Sequence, residues 1–589
     1  MSSQFRLTLV WLFAGLVTIV LTLQMTSASF VDGQYLPVGH DAFYHARRIL
    51  DAVATGELFQ FDRLMHVPEG DWVTWPWAYD WFLAKAVVLV QGMLGTANPA
   101  AVLMHLPPLL GLVAVALVVG VCAELRLSVA ATLVAATCFA VHGFTQYQFG
   151  VGALDHHGSE QIASLGALWL GLRWFARPAQ VGRAAVLGLW LGAAIGIHAG
   201  LFILQVPLLA ALLLGWTRGN AVPPAATGWF CAGLLCGTLA MLVPAETFWS
   251  TRFVIYYLSL FHLYVAACTC IVVLFLCRRD RTPRNLALLA GLAALLALPL
   301  LAVLAFSGDF LSGNLATIRD IDEIQSPFTI AAQPLGLRRI NQVYTLLVWV
   351  APLALVASLL MALRDRASHR SFFWLACAFG LGLLLLQLRL GSFGVYYLYL
   401  PWLVLASMAV DRWSGAARTI WAVLGCVLVV AYYPTVRYQL FGSHVPAMDQ
   451  QYSSLRALLP VLRDACASDP GVVLAEPGDG HLIRYFTACA VISNNFRLTP
   501  LDVAKVKESL DLIALPLDVV RARAPQVKYV VARLVAPNES PDPVLFRQLL
   551  AVGGPSRADV RELVALQVTS ADGHEQKFLG AFRISAAVE

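Results

Sequence analysis

Gly152-Ala-Leu-Asp155-His156-His157-Gly-Ser-Glu160-Gln-Ile-Ala-Ser-Leu-Gly-Ala-Leu-Trp-Leu-Gly-Leu-Arg173-Trp-Phe-Ala-Arg177 runs from an acidic, imidazole-bearing loop into an apolar stretch and ends on arginine. Crossing a hydrocarbon core takes about 20 predominantly apolar residues in a helix, and residues 159–176 read as such a span. The stretch has a polarity: carboxylate and imidazoles at one mouth, guanidinium at the other. Outward from it the same arrangement recurs. Apolar runs lie at roughly 8–25, 101–122, 127–142, 159–176, 184–199, 201–216, 226–243, 253–277, 285–306, 342–363, 372–390, 395–410 and 417–433, about thirteen helices by this criterion. Of the 589 residues 59% are hydrophobic and only 13% charged, too little charge to cover a soluble protein of this size. The formal net charge of +5 comes without a basic tract interleaved with aromatics, so nucleic acid is not an expected partner.

Arginine placement orients the spans. With the N-terminus on the cytoplasmic side, Arg126, then Arg173, Arg177 and Arg183, then Arg218, the cluster from Arg278 to Arg284, then Arg364, Arg366 and Arg370, and finally Arg412 and Arg418 all fall inside. The opposite loops between short-connected spans carry almost no such charge. Four polar segments then lie on the outer face: 26–100, 143–158, 307–341 and 434–589. A stretch near Trp77–Leu94 is amphipathic and suits the interface. A bacterial inner membrane with a periplasmic active face fits this pattern, and an endoplasmic reticulum membrane would show the same one. Thr26-Ser-Ala-Ser is a passable cleavage site, but a retained first span is preferred because the rest of the chain is membrane-embedded.

The expected fold class is therefore a polytopic α-helical membrane protein with a C-terminal external α/β domain. Residues 1–433 form the transmembrane part and 434–589 the external domain, with runs such as Gly471–Leu474, Ala490–Ser493, Tyr529–Ala532 and Phe578–Ile584 read as strands, and Tyr452–Ala465 and Leu515–Arg523 as helices. Most cysteines sit in apolar runs as small hydrophobes, and no Cys-x-x-Cys pair occurs. Cys466 and Cys489 lie in the polar part and could pair in an oxidising compartment.

Three outer segments place acidic or imidazole groups at helix ends. His40-Asp41-Ala-Phe-Tyr44-His45-Ala-Arg47 opens a helix after Gly39, with Asp41 at the position of an N-cap. Asp155-His156-His157 precedes the fourth span, where Asp155 could equally be a cap and Glu160 fill the first turn. Thr317-Ile-Arg-Asp320-Ile-Asp322-Glu323 lies in the loop before the tenth span. Singly each has a bland reading as a cap or a solvated loop. Gathered on one face, Asp41, Asp155, His157 and Glu323 make a ligand set for a divalent cation, Mn2+ or Mg2+, that could hold a lipid diphosphate. Ionisable residues near spans, such as His198 and Glu246, lie at span ends and not at mid-bilayer, which favours surface chemistry over a transporter or flippase.

Gly39-His-Asp41-Ala-Phe-Tyr-His45-Ala-Arg47, followed by Val67-Pro-Glu-Gly70 and Trp75-Pro-Trp77-Ala-Tyr-Asp80, resembles the first external loop of the STT3-type oligosaccharyltransferases, membrane glycosyltransferases of GT-C type. Gly152-Ala-Leu-Asp155-His156-His157-Gly-Ser-Glu160 resembles their second acidic motif in its archaeal form. The resemblance covers most of the chain. It implies a glycosyltransferase that moves a glycan from a polyprenyl-(di)phosphate donor in the membrane lipids to an acceptor on the outer face. It implies Asp41 and Glu323 as catalytic residues, Asp41, Asp155, His157 and Glu323 as metal ligands, and Arg389 and His156 as donor-binding residues. Asp320 is the alternative to Glu323 in a second register of the same loop. The family's Trp-Trp-Asp-Tyr-Gly motif, which reads the acceptor, corresponds to Glu476-Pro-Gly-Asp479-Gly480-His481, which contains no tryptophan. Asp479, Gly480 and His481 are the implied acceptor-binding residues. The acceptor is then protein asparagine, or alternatively a hydroxyl of a polysaccharide or glycolipid; a pseudoenzyme subunit would need none of the four carboxylate and imidazole groups. Asn538-Glu-Ser is a sequon on the outer face and carries little weight.

Overall fold

The computed structural model describes residues 3–24, 26–220, 222–250, 252–306, 324–441, 450–534, 542–551, 560–569 and 575–585. Asp320, Glu323 and the Asn538 sequon lie outside them. The chain divides into two compact units. Among the described residues, 3–36, 75–306 and 324–441 form the first, and 37–74 together with the residues from 450 onward form the second.

The first unit is a multi-pass membrane bundle. Among the described residues, ten of its helical segments are long and apolar enough to cross a membrane: Gln4–Leu23, Pro99–Glu124, Ala199–Thr217, Pro224–Leu242, Leu260–Arg278, Pro283–Ala305, Leu346–Arg364, Ser368–Leu386, Leu388–Arg412 and Ser414–Phe441. The shorter apolar helices Val129–Ala140 and Val181–Ala194, with His157–Ala176, account for the remaining expected spans. The 388–412 segment is a series of short helical turns before it settles into Leu400–Arg412. Trp77–Leu94 is helical, with Phe82, Val88, Leu89, Met93 and Leu94 exposed, and its apolar residues are not confined to one face as the amphipathic reading expects.

His157–Ala176 sits at the centre of this bundle, packed by Leu106–Glu124, Val181–Ala194 and Ser368–Leu386. Small residues make room for its neighbours: the Trp190 ring fills the space over Gly166, and the Phe372 ring that over Gly171. Trp190 Nε1 donates to Ala163 O at 2.8 Å, and the Ser164 and Tyr396 hydroxyls share a hydrogen bond of 2.5 Å. Closest of all is the pair Val181–Ala194 and Pro224–Leu242. Gly188 and Gly192 face the Phe230 and Leu234 carbonyls, and Gly233 and Gly237 face those of Ala185 and Leu189. A Gly-x-x-x-Gly spacing on both helices lets the backbones touch, the arrangement that membrane helices use where burial from water cannot drive association.

The second unit joins a segment near the N-terminus to the C-terminal part. Two short hairpins precede the main sheet: β1 (Phe30–Val31) with β2 (Gln34–Tyr35) in the first unit, and β3 (Phe61–Asp62) with β4 (Asp71–Trp72) in the second. The sheet of the second unit contains β5 (Val472–Leu474), β6 (Ala490–Val491), β7 (Val527–Arg533), β8 (Val560–Thr569) and β9 (Glu575–Ile584), in the order β6-β5-β7-β9-β8. β5 runs parallel to β6 and β7, while β9 is antiparallel to both β7 and β8. The unit is thus an α/β fold, as the alternating runs predict. The predicted helix over 452–465 is broken into Gln450–Leu455 and Leu459–Ser468, with Pro460 starting the second piece. Cys466 and Cys489 are disulfide-bonded.

Helix His40–Thr55 packs on Gly480–Phe486 of the C-terminal part. Phe43 lies edge-on to Tyr485 at 5.3 Å, and Tyr44 meets Phe496 at 5.4 Å. Asp62 is buried between the Tyr44 hydroxyl (3.2 Å) and the Arg484 guanidinium (3.3 and 3.4 Å). A second buried knot joins the β3–β4 hairpin to helix Pro500–Ile513. His66 Nδ1 is 3.0 Å from Asp71 Oδ2 and 3.6 Å from Asp502 Oδ1, and its Nε2 is 3.3 Å from Asn494 Oδ1. Asp502 also closes a capping box, its Oδ2 accepting from Thr499 N and Leu498 N. Beside it Lys505 donates to Val67 O at 3.0 Å and pairs with Glu69 and Glu508.

Burial and the neighbouring Asp71 push the Asp502 carboxyl up to about 7, against the opposing pull of His66. A raised folded-state value means that protonation favours the fold. The stabilisation is full below the ordinary carboxyl range, falls as pH rises, and is gone above about 7. Compared with Asp502→Asn, the wild type is expected to lose more stability between pH 4.5 and 7.5, read as the midpoint of thermal unfolding. In the membrane unit, Gly192→Ala would press a methyl into the Leu234 carbonyl and is expected to cost about 1–3 kcal/mol. A detergent melt with an unchanged midpoint would contradict that packing.

Candidate active site

The N-terminal end of helix His157–Ala176 carries a dense set of ionisable side chains, and the local sequence explains their presentation. Gly152 has φ +83° and lies against Ser29 Oγ and the Leu36 carbonyl, so the turn ahead of the helix is one that glycine favours. Leu154 then drops into the core, and Tyr79 Oη donates to its carbonyl at 3.0 Å. The helix starts with His156 at the N-cap, which makes no side-chain cap bond. Asp155 is therefore not the cap that its position in the sequence allows. Its carboxylate instead takes the two imidazoles: Oδ1 is 2.8 Å from His156 Nδ1, and Oδ2 is 3.5 Å from His157 Nε2.

The network continues inward. Glu160 is almost completely buried, with Oε2 2.7 Å from His157 Nδ1 and Oε1 2.9 Å from His198 Nδ1. His198 follows the end of helix Val181–Ala194, and its ring stacks on His156 at 4.7 Å. Trp75 Nε1 reaches His156 Nδ1 at 3.1 Å. Burial pushes His156 down to about 4, against the pull of Asp155, and keeps this imidazole neutral through the physiological range. Sequence reading placed Glu160 in the first turn and His198 at a span end. It missed their joining this cluster, because the contact closes between different helices. The signal available was the i, i+3 spacing of His157 and Glu160.

The donor set suits a divalent cation. Two ligands at metal–donor distances of roughly 2.1 Å stand about 3.0–3.4 Å apart, and Asp155 Oδ2 and His157 Nε2 are separated by 3.5 Å. Arg389 lies in the short 388–390 turn of the same unit. Three residues on, Ser392 Oγ donates to the His157 carbonyl at 3.3 Å and ties that turn to the start of the helix.

The remaining expected site residues are in the second unit. Asp41 is half-buried in the first turn of His40–Thr55, and the N-cap is Gly39 at φ +103°, so Asp41 is not the cap. Asp479 is buried and pairs with Arg533 at 3.3 Å. His481 is buried, hydrogen-bonds Asn495, and faces the Tyr44 ring at 6.0 Å. Burial, with His40, His66 and His45 near it, lowers His481 to about 3, against the Asn495 hydrogen bond, so it acts as a neutral imidazole. Gly480 has no room for a side chain: a Cβ would strike the Ser493 carbonyl and Asn494 Cα.

No protein-family model matches the chain, and no curated protein does. Solved structures do. An archaeal oligosaccharyltransferase from Archaeoglobus fulgidus, AglB, in complex with an inhibitory peptide and a dolichol-phosphate, is 15% identical, with a TM-score of 0.73 over 98% of this chain and 74% of that one. The same organism's oligosaccharyltransferase in complex with Zn and sulfate is 15% identical, with a TM-score of 0.67 over 97% and 73%. A mycobacterial arabinofuranosyltransferase, AftD, is 15% identical, with a TM-score of 0.54 over all of this chain and 42% of that one. At such identities the likeness is one of fold, and the fold is that of membrane glycosyltransferases.

Gly480→Ala is expected to destabilise the second unit by about 1–3 kcal/mol, since the obstruction is backbone and cannot swing away. The check is a lowered unfolding midpoint with the disulfide intact.

Proposed function

We propose that this chain is a metal-dependent glycosyltransferase of oligosaccharyltransferase type. It takes a glycan from a polyprenyl-(di)phosphate donor and passes it to an acceptor, protein asparagine in the first instance, on the outer face of a bacterial inner membrane. The observation that carries the reading is the Asp155–His156–His157 cluster at the mouth of the central helix, in a fold that an oligosaccharyltransferase with dolichol-phosphate and one with Zn also adopt.

Asp155 and His157 would hold the cation, with Asp41 and the loop carboxylate Glu323, or Asp320 in the other register. When bound, the cation supplies charge compensation for the diphosphate as the glycosidic bond breaks. Arg389 and His156 would bind the donor, the guanidinium as a fixed cation and the neutral imidazole as a hydrogen-bonding group. Asp41 and the loop carboxylate would orient the acceptor and take up its proton. Gly480, His481 and Asp479 would shape the acceptor site.

A hydroxyl acceptor is the second reading. It is favoured by the 476–481 segment, which has no tryptophan and whose Asp479 is occupied by Arg533.

In a deletion strain, Asp155→Ala and His157→Ala are expected to lower transfer more than about 100-fold, beyond the loss typical of outer-shell partners. The readout is mass spectrometry of envelope glycopeptides beside extracted glycolipids and polysaccharides. Loss on asparagine peptides supports the first acceptor, and loss confined to polysaccharide or glycolipid supports the second. Full complementation by both variants would sink the metal-dependent reading.

A further inference from the structure

His157 can use its Nε2 toward a cation only if its proton sits on Nδ1 and its ring is held in one orientation. Both conditions depend on the group facing Nδ1. That group is Glu160, whose Oε2 lies 2.7 Å away. An ionised carboxylate accepts and never donates. With Nδ1 unprotonated, two lone pairs would face each other at 2.7 Å; with Nδ1–H, the pair is a charge-assisted hydrogen bond. The tautomer that results leaves the Nε2 lone pair on the side of Asp155 Oδ2, 3.5 Å away.

Glu160 is itself fixed. It stands one helical turn beyond His157, so the two side chains share a face. It is 3% exposed, and its second oxygen accepts from His198 Nδ1 at 2.9 Å. His198 comes from a different helix end with extended backbone (φ −148°, ψ 132°), and its ring lies nearly parallel to that of His156, at 25°. The carboxylate is thus gripped from two elements, and rotation about its own side chain would break one of the two bonds.

We infer that Glu160, buttressed by His198, is a positioning residue for the metal centre: it sets the tautomer and ring orientation with which His157 meets the cation. The inference rests on the proposed metal site and adds two residues that neither the family resemblance nor the motif spacing assigns. A rival arrangement uses the same atoms differently. Donor atoms of His156, Glu160 and His198 all lie within 4.8 Å of one another, close enough for a separate ion.

The test is titration of the full-length, detergent-solubilised protein with Mn2+ alone, following free Mn2+ by electron paramagnetic resonance and folding by thermal melt. Wild type is expected to bind one ion per chain, and Asp155→Ala to abolish binding. Glu160→Ala should weaken affinity about 10–100-fold, the usual effect of losing a partner that orients a metal-bound imidazole. Glu160→Gln, whose amide oxygen still accepts from Nδ1, should recover most of that loss. His198→Ala removes a side chain that is 31% exposed and should fold normally while weakening affinity up to about 10-fold. It keeps the test open if Glu160→Ala fails to fold. Wild-type affinity in both Glu160→Ala and His198→Ala would overturn the inference while leaving the metal site standing. So would two ions in the wild type with one lost in His198→Ala, which would assign those residues to a second site. No binding by wild type would overturn the metal reading and the inference together.

Discussion

Hydrocarbon offers no hydrogen bonds and no solvation for charge, and the arrangement of this molecule follows from that. On helix His157–Ala176, carboxylates and imidazoles collect at the first turn, while Arg173 lies in the last. Apolar burial cannot pull one membrane helix onto another, so contact has to come from shape, and the facing glycines of Val181–Ala194 and Pro224–Leu242 supply it. The same restriction explains why Glu160 is so thoroughly bonded. A carboxylate with 3% exposure at the edge of an apolar bundle must find N–H donors within the protein, and it finds two imidazoles.

The second unit meets the same problem by different means. Its buried charges are paired across distant parts of the chain: Asp62 with Arg484, Asp479 with Arg533, and Lys505 with Glu69. Such pairs seldom add much net stability, because desolvation offsets their attraction, but breaking one leaves a buried charge uncompensated. Their value lies in register. A wrongly docked hairpin or helix would strand several charges at once.

Much of this architecture was legible in the sequence, because an apolar run of membrane length reads locally. So did the β-rich alternation of the C-terminal part and the chemical character of Asp155-His156-His157. What local reading could not reach were contacts between distant elements. Helix His40–Thr55 reads as part of an external loop, yet its apolar face, Phe43 and Tyr44, is covered by residues more than four hundred positions away. Asp41 and Asp155 both look like caps, but a glycine and a histidine hold those places, because Asp41 falls two residues after its cap position and Asp155 one before. Glu160 was visible as a first-turn acid, but its partner His198 comes from the end of another helix. The Val560–Thr569 strand alternates only weakly between apolar and polar residues and gains its place by pairing with Glu575–Ile584.

The composition of the second unit also sets a timetable. Helix His40–Thr55 leaves the ribosome more than four hundred residues ahead of Gly480–Phe486, on which it packs. At about 5–20 residues per second, the interval between them is roughly 20–90 s. Throughout it, an amphipathic helix bearing Phe43, Tyr44 and Ile49 waits while the later spans are still being threaded. The early spans must therefore insert without help from this unit, and the newborn helix needs a temporary cover, whether a chaperone or the membrane surface itself. A chain cut short before residue 480 would leave that cover permanently occupied, so a truncation four hundred residues downstream marks the nascent protein as unfinished at helix His40–Thr55.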